Sequence, residues 1–219
     1  MNGALSYKSS SFNLNNMPDL SGKNAIVTGG NTGIGYETCK NLAKKGANVY
    51  MASRSEEKAL IAIAQIKKET GKDVEFLRVD LQDLNQTRKA AEGFVKKNVP
   101  LDILINNAGI MACPFAKTVD GWETQFATNH LGHFQFTSAL MPSINKAKSP
   151  RIVNVSSHAH LRSPECGIDF ENINNETKYN TMIRYGQSKL ANLLFSLSLS
   201  KKYPKLVVNS VHPGYFLFI

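Results

Sequence analysis

Tyr185 and Lys189 stand four residues apart in Tyr-Gly-Gln-Ser-Lys, a spacing that puts both on one face of a helix. A phenol beside an ammonium group is a proton-transfer centre. A free tyrosine titrates at about 10, too high for an efficient base near neutral pH, and a neighbouring cation stabilises its phenolate. Far upstream runs Thr28-Gly-Gly-Asn-Thr-Gly-Ile-Gly35, a glycine-rich turn that can bring backbone N–H groups against a phosphate. Neither feature decides anything alone. Tyr36 and Lys40 repeat the same spacing, but Tyr36 directly follows Gly35, where a helix beneath the phosphates would begin, and reads as helix packing.

These groups need a scaffold, and the chain alternates short apolar runs with helical patterns, as a repeated strand–helix unit does. Strands are expected at Asn24–Thr28, Asn48–Ala52, Val74–Val79, Leu101–Ile105, Arg151–Ser156 and Leu206–Val211. They are rich in Val, Ile and Leu without alternation, which suits strands covered on both faces. Helices are expected at about 34–45, 56–70, 83–97, 120–146 and 185–202. Right-handed crossovers then give an α/β fold, a three-layer, doubly wound parallel sheet of Rossmann type with strand order 3-2-1-4-5-6. Residues 1–19 read as a flexible, Ser- and Asn-rich segment, and residues 20–219 as one dinucleotide-binding domain.

In that scaffold the glycine run leaves the first strand and opens the first helix, so a pyrophosphate would lie against the positive end of the helix dipole. Gly29, Asn31, Thr32, Gly33, Ile34 and Gly35 are the expected contacts. The second strand leads into Met51-Ala52-Ser53-Arg54-Ser55, with no carboxylate to bind the ribose hydroxyls of NAD. Arg54 can form a forked contact with a 2′-phosphate and Ser53 can donate to it, which selects NADP(H). At the third strand's end, Asp80 followed by Leu81 is placed to meet the adenine. At the fourth strand's end, Asn106, Asn107, Ala108 and Gly109 let the backbone approach the cofactor.

Thr28–Gly35, Asp80, Asn106–Gly109, Asn129, Ser157, Tyr185 with Lys189, and His212-Pro213-Gly214 together resemble the short-chain dehydrogenase/reductase family, in the family's order. Within it, Asn106-Asn-Ala-Gly-Ile-Met-Ala-Cys-Pro-Phe, Asn129-His-Leu-Gly-His-Phe, Arg151-Ile-Val-Asn-Val-Ser-Ser-His-Ala-His and Ser188-Lys-Leu-Ala-Asn look most like the retinol dehydrogenase-like reductases. So does the long tract from His158 to Arg184. The resemblance implies hydride transfer between NADP(H) and a small apolar carbonyl or alcohol substrate such as a retinoid, steroid or lipid aldehyde. Tyr185 would be the proton donor or acceptor, with Lys189 supporting it and both touching the cofactor. Ser157 would hold the substrate oxygen; Ser156 competes, and the family's serine is normally the later of such a pair. Asn129 would support a water relay to Lys189, and Pro213 and Gly214 would border the nicotinamide. The resemblance also allows a homodimer through the helices carrying Asn129 and Tyr185.

Hydrophobic content of 42%, charge of 20% and 219 residues suit a chain with a sizeable core. No apolar run spans a membrane, and a cytoplasmic protein is expected. The net charge of +9 comes from dispersed lysine pairs at expected helix C-termini, which complement helix dipoles rather than form a nucleic-acid surface. Cys39, Cys113 and Cys166 make neither a disulfide framework nor a metal cluster. His130, His133, His158 and His160 lack an H-E-x-x-H arrangement, so packing or lid-lining roles and no metal are expected. After Gly214 the sequence Tyr-Phe-Leu-Phe-Ile219 departs from the family pattern. The expectation is a chain truncated at its C-terminus, lacking the final strand and the substrate-binding segment. The alternative to an active enzyme is then a nucleotide-binding but catalytically incompetent protein.

Overall fold

A strand buried on both faces needs apolar side chains at consecutive positions, and Ala25–Val27 and Val49–Ala52 supply them. The computed structural model describes residues 13–214. Among these, six strands form one parallel sheet: β1 (Asn24–Thr28), β2 (Asn48–Ser53), β3 (Val74–Arg78), β4 (Ile103–Asn106), β5 (Arg151–Val155) and β6 (Val207–Val211). Their order is β3-β2-β1-β4-β5-β6, the doubly wound order expected from the sequence. β6 forms one margin of the sheet among the described residues. Met1–Phe12 of the expected flexible segment, and the apolar run Tyr215–Ile219, lie outside the described residues. Leu14–Asn16 forms a short 3-10 turn, and Met17 and Leu20 pack on the core.

Among the described residues six α-helices flank the sheet: α1 (Gly33–Lys44), α2 (Glu56–Thr70), α3 (Leu84–Lys96), α4 (Thr124–Phe126), α5 (Gly132–Ile144) and α6 (Thr181–Lys202). Alternate residues of the central strands serve opposite faces. Ala25, Val27, Val49 and Met51 point to Cys39 and Leu42 of α1 and to Ala59 and Ile66 of α2. Ile26, Tyr50, Leu104 and Ile152 point the other way, to Phe94 of α3, Phe136 and Leu140 of α5, and Phe195 of α6. The expected lysines fall in the last turns of α1, α2, α3 and α6.

Several boundaries shift from the sequence expectation, three of them for a visible local reason. β4 starts at Ile103 rather than Leu101, because the Asp102 carboxylate is engaged with Lys23 Nζ at 2.8 Å and the Asn24 N–H at 3.0 Å. The helix expected over 120–146 begins only at Thr124, since the buried Glu123 side chain caps the N–H groups of Gln125 and Phe126. It is then interrupted by a π turn at Ala127–Leu131. α6 starts at Thr181 instead of 185, capped by Asn180 Oδ1, which accepts from the Met182 and Ile183 N–H groups. Tyr185 therefore sits in the second turn of α6, firmly inside a formed helix.

The π turn and α5 meet the end of β3 closely at Gly132. A Cβ there would lie 2.6 Å from the Leu81 carbonyl oxygen and 3.0 Å from Leu81 Cα. Because the obstacle is backbone, it cannot swing aside. Gly132→Ala should lower unfolding stability by about 1–3 kcal/mol. Urea titration checks this, and an unchanged midpoint would show that the two elements do not bear on each other there.

Candidate functional site

The carboxyl ends of β1 to β5 and the tract after β6 enclose a cleft of about 820 Å³. Gly29, Asn31, Thr32, Gly33, Ile34, Gly35, Ser53, Arg54, Asp80, Leu81, Asn107, Ala108, Gly109, Ser157, Tyr185, Lys189, Pro213 and Gly214 all line it. Asn106 and Asn129, also singled out from the sequence, do not. The glycine turn needs its bare backbone at Gly35, where a Cβ would overlap the Gly29 carbonyl and lie 2.7 Å from Asn107 Nδ2. Thr32 occupies the N-cap of α1 without a side-chain cap bond, so the first-turn N–H groups stay available to an anion.

At the end of β2 the three polar residues divide their work. Ser53 Oγ donates to the Ser55 carbonyl at 3.3 Å, and Ser55 Oγ accepts from the Lys58 N–H at 3.4 Å to cap α2. Arg54 is exposed and faces the cleft, so it is the charged group placed for an anionic ligand there. Asp80 lies at the cleft while its Oδ1 accepts from the Gln82 N–H at 3.0 Å. The Thr128 hydroxyl also lines the cleft and is a buried oxygen without a protein partner, an atom suited to a ligand.

The opposite end holds the Tyr185–Lys189 pair. Lys189 Nζ lies 5.5 Å from the Tyr185 ring centroid and donates to the Val155 carbonyl at 3.0 Å. Burial pushes Lys189 down to about 8. Burial also raises the Tyr185 phenol above its usual value, and the Ser157 hydroxyl beside it works against that rise. At neutral pH Tyr185 is thus protonated. Ser157 Oγ accepts from the Ala159 N–H at 3.2 Å, whereas Ser156 Oγ is spent on the Lys189 carbonyl at 2.8 Å. Asn129 does not bond Lys189. Its Oδ1 accepts from the Ile110 N–H at 2.8 Å, and its Nδ2 donates to the Ile110 carbonyl and to Ser188 Oγ, each at 2.9 Å. Both side chains nevertheless border Gly109: a Cβ there would lie 3.3 Å from Asn129 Oδ1 and 3.4 Å from Lys189 Nζ.

Residues 23–169 match the profile of the short chain dehydrogenases. The chain belongs to that family. This short-chain dehydrogenase is 45% identical over 213 residues to an uncharacterised oxidoreductase of Schizosaccharomyces pombe, an alignment covering 93% of the chain and 63% of that protein. It is 44% identical over 198 residues to retinol dehydrogenase 11 of Homo sapiens, covering 89% of the chain and 61% of that enzyme. It therefore spans less than two thirds of the length of either relative. Among solved structures, a protein from Mycobacterium paratuberculosis superposes with a TM-score of 0.82 at 39% identity, over 93% of this chain and 72% of that one. RhlG of Pseudomonas aeruginosa, solved as an NADP active-site complex, superposes with a TM-score of 0.71 at 28% identity, over 91% and 74% of the two chains.

Around the cleft, this short-chain dehydrogenase uses polar residues that sequence reasoning passed over. Gln125 is fully buried; its Oε1 accepts from the Ala112 N–H at 2.9 Å, and its Nε2 donates to Tyr179 Oη at 2.7 Å and the Thr181 carbonyl at 3.0 Å. Ala112 itself has φ 54°, an unusual left-handed backbone for a non-glycine residue. Tyr179 Oη donates to the Cys113 carbonyl at 2.8 Å. The loop after β4, the tract before α6 and α6 itself are thus tied through one amide. No glutamine spacing in the sequence marks it.

His130 serves packing, one of the roles expected for it. His130 lies among Phe126, Phe134 and Phe195, with Nδ1 3.2 Å from Asn192 Oδ1. Among the described residues no group of His, Cys, Asp and Glu could hold a metal ion, and no helix is long and apolar enough to cross a membrane. Burial pushes His130 down to about 4 and His133 down to about 3, from an ordinary 6.5. Both native values are depressed, so the unfolded chain takes up these protons first on acidification. Stability is fully present above about 6.5 and is lost as pH falls toward 4. Urea unfolding across that window should show a slope of up to two protons. His130→Phe should lessen the slope, and a parallel curve for the variant would rule out this account.

Proposed function

We propose that this chain is an NADP(H)-dependent oxidoreductase that interconverts a carbonyl and an alcohol on an apolar substrate of the retinoid, steroid or lipid-aldehyde class. The observation that carries the reading is that one cleft joins an anion-ready glycine turn and Arg54 at one end to Tyr185, Ser157 and Lys189 at the other. Family membership, the likeness to retinol dehydrogenase 11 and the NADP complex of RhlG support it.

The residues present fit a dinucleotide. The glycine turn folds tightly enough at Gly35 to exclude a Cβ, the α1 N-terminus offers N–H groups, and the Thr128 hydroxyl is an unmet buried donor. Arg54 would hold the 2′-phosphate, and Asn107 to Gly109 would support the nicotinamide end. The cofactor, when bound, supplies the hydride from its nicotinamide. Ser157 would hold the substrate oxygen against Tyr185, and Tyr185 would give that oxygen its proton in reduction. Lys189, whose ammonium donates to a backbone carbonyl rather than a carboxylate and lies 5.5 Å from the Tyr185 ring centroid, would stabilise the phenolate that is left. Exposed Met111 borders the cleft and gives it an apolar side.

The decisive experiment measures NADPH binding and then reduction of a panel of straight-chain and retinoid aldehydes. Binding without turnover would favour a nucleotide-binding protein that does no chemistry. With turnover present, Tyr185→Phe should cut it about 10²- to 10⁴-fold while NADPH affinity stays near wild type; undiminished turnover refutes the role of Tyr185. Arg54→Asp should weaken NADPH about tenfold or more and leave NADH little changed, since only NADPH loses a charge-assisted contact. Equal losses for both nucleotides would remove Arg54 from the 2′-phosphate.

A further inference from the structure

Four polar atoms converge on Thr28 Oγ1 at the end of β1. The N–H groups of Asn107 and Ala108 lie at 2.9 and 3.0 Å, His133 Nε2 at 2.8 Å, and the Ile105 carbonyl at 3.4 Å. A hydroxyl has two lone pairs and one proton. The two backbone N–H groups can only donate, and they use both lone pairs. Were Nε2 also protonated, three donors would face two lone pairs in a buried site. The Thr28 proton therefore goes to Nε2 and not to the more distant carbonyl. The ring hydrogen sits on Nδ1, which donates to the Asn129 carbonyl at 3.0 Å.

We propose that His133 is a positioning residue: from this one tautomer it clamps the cofactor-facing loop at Asn107–Ala108 to the turn that carries Asn129. The clamp reaches that loop at both ends. Thr28 fixes its start, and the Asn129 side chain fixes Ile110 through two hydrogen bonds. Between them Gly109 borders Lys189 Nζ. The imidazole thus sets the spacing between the floor on which a nicotinamide would rest and the lysine end of α6. The ring is only 1% exposed, and burial keeps it neutral, which preserves the acceptor at Nε2. The proposal deepens the NADP(H) reading of the cleft and rests on it for its kinetic consequences.

Two conservative variants separate the ends of the clamp. A glutamine reaches about as far as Nε2 and can accept from Thr28; an asparagine reaches about as far as Nδ1 and can donate to Asn129. In the full chain, His133→Gln should keep NADPH affinity near wild type while turnover of retinal falls about tenfold, the effect of one lost buried hydrogen bond. His133→Asn should do the reverse, and His133→Phe should lose both. A side chain that merely fills space would give Gln and Asn the same profile, and that result overturns the proposal. Nitrogen NMR of histidine-labelled wild type provides a second readout that needs no variant to fold. It should show Nδ1 protonated and Nε2 bare; a protonated Nε2 overturns the clamp whatever the kinetics. Failure of the wild type to bind NADPH would instead defeat the functional reading, and the tautomer would still decide the clamp.

Discussion

Because the six strands run in one direction, the turns that leave them gather along a single edge, where backbone donors and acceptors have lost their ladder partners. Buried groups of that kind must be paired, and here side chains do the pairing. Thr28 Oγ1 receives the N–H groups of Asn107 and Ala108, and Asn107 Nδ2 donates to the Thr28 carbonyl at 2.8 Å. Asn129 closes on Ile110, Gln125 on Ala112, and Glu123 on the start of α4. Much of the polarity around the cleft is therefore demanded by the sheet's direction before any ligand is considered.

That constraint also explains what the sequence makes visible. The glycine run and the Tyr185–Lys189 pair are local patterns with local geometry, and the strands that carry them are continuous apolar runs. The strand order follows from crossover handedness and is the observed one. The π turn at Ala127–Leu131 leaves no mark, since an apolar helical pattern continues through it and the extra residue is accommodated by contacts with the loop after β4. The early start of α6 has a signal in Asn180, a capping residue one turn ahead of the tyrosine. The Thr28–His133 bond joins residues 105 apart, and no spacing rule reaches that far.

Charge burial is handled with unusual economy. Lys189 is nearly enclosed, yet its partner is the Val155 carbonyl, shared with Asn192 Nδ2 at 3.3 Å, and not an acid. A carboxylate in that place would neutralise the ammonium and hold its proton tightly. A carbonyl orients the group while leaving its field largely unspent, so the cost of burial appears as a lowered pKa. His130 and His133 show the complementary solution, remaining neutral inside the fold.

Gln125 joins Ala112, in the loop that carries Met111 at the cleft, to Thr181, one turn before Tyr185. The loop at the cleft wall and the helix bearing the phenol are therefore tied into one frame. Under the oxidoreductase reading proposed above, substrate preference and chemical rate are not independent traits. A change in the loop after β4 that admitted a bulkier molecule would also alter the footing of α6, so broadened selectivity and altered turnover would arrive together from the same substitution.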